Sequence, residues 1–193
     1  MIPYFVRHKA LSAVFALSLC VTTTNYACNT QAWLNVIGQY LPLAIQIAKS
    51  IASLIVVFNP SASQEDQSYV TTIGDEATRD YQLLQSLYQQ YKATPSATTE
   101  AAIENTLTLI VQNLPQILNA GHVKDPSLQG KLSSAVNILI TIADAIVSQM
   151  PVKSPTLRSR KNRSLGYSPS AVKVQWDTLV CSGNATCTAM VHP

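Results

Sequence analysis

Residues 125–151 read DPSLQGKLSSAVNILITIADAIVSQMP. Leu128, Leu132, Ala135, Leu139, Ile142, Ile146 and Met150 recur at spacings of three and four, the repeat of one helix face. Asp125 can accept from the free amides of a first turn, and Pro126 suits the first helical position, where its missing N–H is no loss. Pro151 ends the run. Asn137, Thr141, Asp144 and Ser148 share the opposite side, so Asp144 belongs to the polar face although Ile142, Ala143 and Ile146 surround it in sequence. A helix with so broad an apolar stripe needs partners to bury it, which sets the expectation for the rest of the chain.

Three earlier segments carry the same period. In residues 31–58, Trp33, Ile37, Leu41, Ala44, Ala48, Ile51, Ile55 and Phe58 form one stripe, with Asn35, Gln39, Gln46, Lys49 and Ser53 opposite. Pro42 predicts a kink there, and Asn59-Pro60 a stop. In residues 64–92 the stripe is Tyr69, Ile73, Ala77, Tyr81, Leu84, Leu87/Tyr88 and Tyr91; Ser63 is placed to cap it, with Glu65 and Asp66 in a first turn whose dipole favours acids. In residues 99–120 it is Ile103, Leu107, Ile110, Leu114 and Ile117, with Pro115 inside and Gly121 as the stop. Four stripes on short links predict a mainly α fold, an antiparallel four-helix bundle over residues 28–150. Gln39-Tyr40-Leu41-Pro42 is echoed by Gln112-Asn113-Leu114-Pro115, as a duplicated helical hairpin would produce.

Ahead of the bundle stands a different kind of segment. Arg7, His8 and Lys9 precede the apolar run ALSAVFALSLCV at 10–21, and a polar stretch then leads to Ala27-Cys28. That order is the layout of a secretory signal peptide over residues 1–27, and the run is shorter than the roughly 20 residues a bilayer span needs. Removal of this segment leaves Cys28, Cys181 and Cys187. Cys181 and Cys187 flank a turn-forming SGNAT loop that a disulfide could close. Cys28 is then left for lipidation or an intermolecular bond, although Asn25 and Tyr26 depart from the usual lipoprotein pattern.

The tail after the bundle changes character. Residues 151–170 read as a basic, Pro-containing, solvated linker, with Arg158, Arg160, Lys161 and Arg163 as candidate contacts for an anionic membrane, a nucleic acid or the acidic body of a neighbouring copy. Residues 171–193 read as a small β-hairpin: Val172, Val174, Trp176 and Val180 alternate with Lys173, Gln175 and Asp177, and 186–191 could return as the second strand. Charge follows the same division. Residues 28–150 hold five Lys/Arg against nine Asp/Glu, and residues 151–193 hold six against one.

Hydrophobic residues make up 47% of the 193-residue chain and charged residues only 12%, half the share of an average soluble domain at about 25%. The formal charge of +3 is too small to imply a nucleic-acid partner. His8, His122 and His192 sit at no ligand spacing from a cysteine or a carboxylate, and no metal or cofactor is expected. Neither H-E-x-x-H, nor G-x-S-x-G, nor a Gly-rich phosphate loop occurs. Glu65/Asp66 and Asp75/Glu76 are adjacent pairs that splay apart on a helix and map outward. The tyrosines at 69, 81, 88 and 91 read as core residues with hydroxyls reaching the surface. The sequence therefore points to an exported, non-catalytic helical protein that binds a partner or assembles with itself, soluble or anchored through Cys28. Two other readings are a membrane-active protein, using the apolar stretch 41–58 against the cost of Lys49, and an enzyme whose site carries no sequence motif or a carrier of an apolar ligand between helices.

Overall fold

The computed structural model describes residues 33–121, 123–161 and 168–181. Among these the chain is mainly α: seven helices and no strand. They are α1 (33–50), α2 (Ser53–Phe58), α3 (Gln64–Ala93), α4 (Ala97–Ala120), α5 (Pro126–Gln149), α6 (Pro155–Lys161) and α7 (Pro169–Cys181).

Side-chain caps open the three long helices after α2. Ser63 Oγ accepts from Asp66 N at 3.1 Å, Ser96 Oγ from Thr99 N at 3.1 Å, and Asp125 Oδ1 from Leu128 N at 2.9 Å. Each satisfies one of the amides that a first helical turn leaves free. Gly121 ends α4, but with φ of −101° it is not in the left-handed conformation usual for such a glycine. Its reason is space: a Cβ there would lie 2.0 Å from the Tyr69 ring, whose hydroxyl donates to the Ile117 carbonyl.

Contacts fix the helix directions. A Cβ on Gly38 would meet the Tyr88 hydroxyl, and Gly74 lies against Ala48 and Ile51, so α1 and α3 run in opposite directions. Tyr69 near the start of α3 reaches Ile117 near the end of α4, and Glu104 near the start of α4 reaches Lys153 just past α5. Between these helices lies one continuous core, with Trp33, Ile37, Leu54, Ile73, Tyr81, Leu84, Ile103, Leu107, Leu132 and Leu139 fully buried. Tyr81 sits inside it and donates its hydroxyl to the Leu139 carbonyl at 2.5 Å, which brings α3 onto α5.

Three expectations are corrected. First, α1 is helical across Pro42, and the one helix expected over 31–58 is broken at Ile51-Ala52 instead. There Ile51 N bonds Ala48 O and Leu54 N bonds Ile51 O, three residues back rather than four. This tightened turn rotates α2 about the helix axis, so that Leu54 is buried where Ile55 was expected. Second, residues 155–161, read as exposed linker, form α6, and Leu157 within it is fully buried. Third, residues 169–181 are a helix rather than a strand. Val172, Trp176 and Val180 are its buried face, spaced by four; Val174, which alternation placed with them, is 61% exposed. A spacing of four is even, so it satisfies both periods, and the packing on α5 selects the helical one. The expected second strand at 186–191 lies outside the described residues, as do residues 1–27, Cys28, His122, Arg163 and Cys187.

The helical phase of α7 makes unequal demands on two neighbouring side chains. Trp176→Ala is expected to destabilise the protein by about 3–5 kcal/mol, and Val174→Thr by less than about 0.5 kcal/mol. Urea unfolding of both variants checks this; comparable losses at the two positions would restore the strand reading.

Candidate binding surface

Two recesses lie along the outer strip of α5. Ser134, Asn137, Thr141 and Asp144 succeed one another along that helix, spaced by three and four, with α7 and α6 packed nearby. Against α7 the strip forms a groove of about 550 Å³, lined also by Lys131, Ile138, Val174, Gln175, Thr178 and Leu179. Against α6 it forms a cavity of about 390 Å³, lined by Asp144, Thr156, Ser159 and Arg160.

Lys131 closes one end of the groove. Its ammonium reaches the Leu179 carbonyl at 3.5 Å, in the last turn of α7, and lies 4.7 Å from the centre of the Phe58 ring. A cation at a helix C-terminus and over an aromatic face is favourably placed on both counts.

Arg160, which lines the cavity, is held in part by a defect in α4. Pro115 lies inside α4 and has no N–H, so the carbonyl four residues back, that of Val111, loses its helical partner. Arg160 Nη2 donates to that carbonyl at 3.4 Å. Arg160 Nη1 meanwhile donates to both oxygens of Asp144, at 3.2 and 3.0 Å. The guanidinium thus bridges α4 and α5 from a residue of α6. The opposite end of α6 is held too. Glu104 of α4, which is buried, accepts from Lys153 N at 2.7 Å and from Ser154 N, the amides leading into α6. Lys161 adds a bond to the Met150 carbonyl at 2.7 Å.

Burial sets the electrostatics here. It pushes the Asp144 carboxyl above the ordinary carboxylate range, against the opposing pull of Arg160. Burial raises Asp80 as well, with Arg79 lowering it and Glu76 raising it. The Tyr81 phenol is driven far above its ordinary value by burial first, then by the charges of Asp144 and Asp80.

Of the basic residues singled out by sequence, the structure therefore spends Arg160 and Lys161 on internal bonds, while Arg158 is exposed and reaches only the Lys153 carbonyl, at 3.5 Å. Cys181 ends α7 and is disulfide-bonded. Asp66, expected to face outward, is buried and accepts from Lys124 N at 3.0 Å. The sequence places Glu104, with Glu100, near the start of the third helix, but not its burial or its partners; the one signal for these is a carboxylate falling next to Ile103 on the apolar face. Among the described residues no three His, Cys, Asp or Glu side chains gather as a metal site would need. The sequence matches no known family model, and neither a curated protein nor a solved structure matches it.

Two measurements probe this geometry. Pro115→Ala returns an N–H to the Val111 carbonyl and is expected to stabilise α4 by about 1–3 kcal/mol, while α6 loses an anchor. The expected signature is a higher Tm together with faster amide exchange in 155–161; unchanged exchange there would show that the carbonyl does not hold Arg160. The second is pH. A carboxyl whose folded pKa is raised keeps its proton where the unfolded chain has lost it. The stability it confers is complete below the unfolded value of about 4 and is lost as pH rises through the folded value. Stability should fall over that window, and fall less in Asp144→Asn, as equilibrium unfolding at stepped pH would record. An identical slope in that variant would remove Asp144 from the account.

Proposed function

We propose that this chain is an exported, non-catalytic binding protein, an antiparallel four-helix bundle of α1–α2, α3, α4 and α5 that presents the α5 strip between α6 and α7 to a partner. The observation that carries the binding role is the strip itself. A helix whose other sides are covered by α2, α4, α6 and α7 keeps one line of short polar side chains facing two recesses. Val174 stands at the edge of one recess as a large exposed apolar side chain, of the kind that partners cover. The antiparallel course of α1 and α3, of α3 and α4, and of α4 and α5 supports the bundle. The charged, apolar and polar order of residues 1–27 supports export, and Cys28 offers either an acyl anchor or a bond to a second molecule.

The basic tail remains part of this reading in reduced form. With Arg160 and Lys161 engaged inside the molecule, Arg158 and Arg163 are the candidate external contacts. The membrane-active reading is weaker. Ile37, Leu41, Ala44, Ile47, Ala48, Ile51 and Leu54 would all have to leave the core to meet lipid. α5 is long and apolar enough to span a bilayer, but more than half of it is buried, as in the core helix of a soluble protein.

Intact mass from separated membrane and soluble fractions of producing cells tests the export part. The expected species begins at Cys28, with acyl mass if it is in the membrane fraction; a chain retaining residues 1–27 would sink it. A photo-crosslinking residue at position 174 tests the surface. Adducts are expected there and not at Leu109, another exposed apolar side chain on α4. Equal labelling at both positions would mean that the strip has no special standing.

A further inference from the structure

The α5–α6 cavity has a chemistry that narrows its ligand, an inference that rests on the proposed binding role. Its two charges cancel. Asp144 and Arg160 are paired at 3.0 Å, with their side chains 25% and 31% exposed. A free anion could take Arg160 only by leaving Asp144 half-buried without its partner, and a free cation would strand Arg160 in the same way. Breaking one side of such a pair is strongly unfavourable. A neutral ligand meets no such obstacle.

What the pair offers a neutral ligand is a donor and an acceptor side by side. Arg160 uses Nη1 on Asp144 and one Nη2 hydrogen on Val111, which leaves its second Nη2 hydrogen and its Nε–H. Each Asp144 oxygen accepts one bond from Nη1 and keeps further lone pairs. Two hydroxyls on neighbouring carbons can donate to such a carboxylate and accept from such a guanidinium at once. Thr156, exposed on α6, adds a hydroxyl at the rim. The volume of about 390 Å³ falls within the size range of small-molecule sites. We propose that this cavity binds a neutral, hydroxyl-rich ligand through a vicinal diol, either a free sugar or one residue of a polysaccharide.

The test is an amide chemical-shift titration of the full chain. Glucose, galactose, mannose and N-acetylglucosamine are added in turn, with sodium acetate, sodium phosphate and trialanine as comparison ligands. Saturable shifts confined to residues 141–161 are expected with at least one sugar. Thr156→Val alters an exposed side chain and should weaken binding by about fivefold, as the loss of one hydrogen bond does. Arg160→Lys keeps the charge but loses the planar fork, and should abolish the shifts. Tighter binding of an oligosaccharide than of its monomer would assign the site to a polymer, and equal binding to a free sugar. Sugar shifts that survive both variants would overturn the proposal by placing the site elsewhere. Shifts at these amides from acetate, phosphate or trialanine, with every sugar silent, would overturn the diol assignment and leave the binding role intact. Silence from all of the ligands would overturn the assignment as well, and the crosslinking result at position 174 would then decide the broader role alone.

Discussion

The apolar girth of α5 governs what surrounds it. Leu128, Leu132, Val136, Leu139, Ile142, Ala143, Ile146 and Val147 are all fully buried and occupy more of the helix circumference than one neighbour can cover. Each large aliphatic side chain buried in this way contributes about 1.5–3 kcal/mol before the cost of ordering it. The chain meets the demand from several directions: α2 and α4 from within the bundle, α3 through Tyr81, and α6 and α7 from outside. Beside α6 and α7 runs the polar line Ser134–Asn137–Thr141–Asp144, exposed at Ser134 and Asn137 and partly covered at Thr141 and Asp144. The recesses are therefore a consequence of packing, formed where the covering helices stop.

The parts of this arrangement that were legible in the sequence are those with a single period. The stripe of α5, its Asp125-Pro126 opening and the Ser63 cap come from spacing and side-chain chemistry alone, and each stands where expected. The tail failed for a definable reason. Val172, Trp176 and Val180 differ by multiples of four, and a multiple of four is consistent with alternation as well as with a helix turn. Val174 alone separated the two readings, and as an isolated exposed valine it misled. At Pro42 and Pro115 the sequence marks a defect in the hydrogen-bond ladder without saying what repairs it. Repair is a long-range matter, supplied at Pro115 by a residue 45 positions later, Arg160.

Charge use obeys the same logic. With only 12% charged residues, the chain uses several acids where backbone amides lack a helical partner. Asp125 opens its own helix; Asp66 and Glu104 serve segments 58 and 49 residues away. A carboxylate accepting from main-chain amides is among the stronger hydrogen bonds available to a protein. Buried acids in this protein thus act as long-range joints, which is why reading Glu65/Asp66 as a surface pair missed the role of Asp66. Asp144 is different from these. It accepts from no backbone amide, and burial works against its charge.

That difference separates the α5–α6 cavity from the larger groove beside it. A proline in a helix interior is less favourable than alanine by about 3 kcal/mol, and a partly buried ion pair is often matched in stability by apolar residues of the same volume. Stability alone calls for neither. Here both occur and converge on one guanidinium: Pro115 frees the carbonyl that holds Nη2, and Asp144 holds Nη1. A surface arginine would ordinarily sample many rotamers, and binding a ligand would have to order it. Arg160 is ordered in advance, in a plane set by α4 and α5, with its two remaining donors available near a carboxylate. Neither the ion pair nor the proline alone would give that orientation, so the two costly features are best understood together, as the means by which a short helix with one buried leucine presents a fixed polar array.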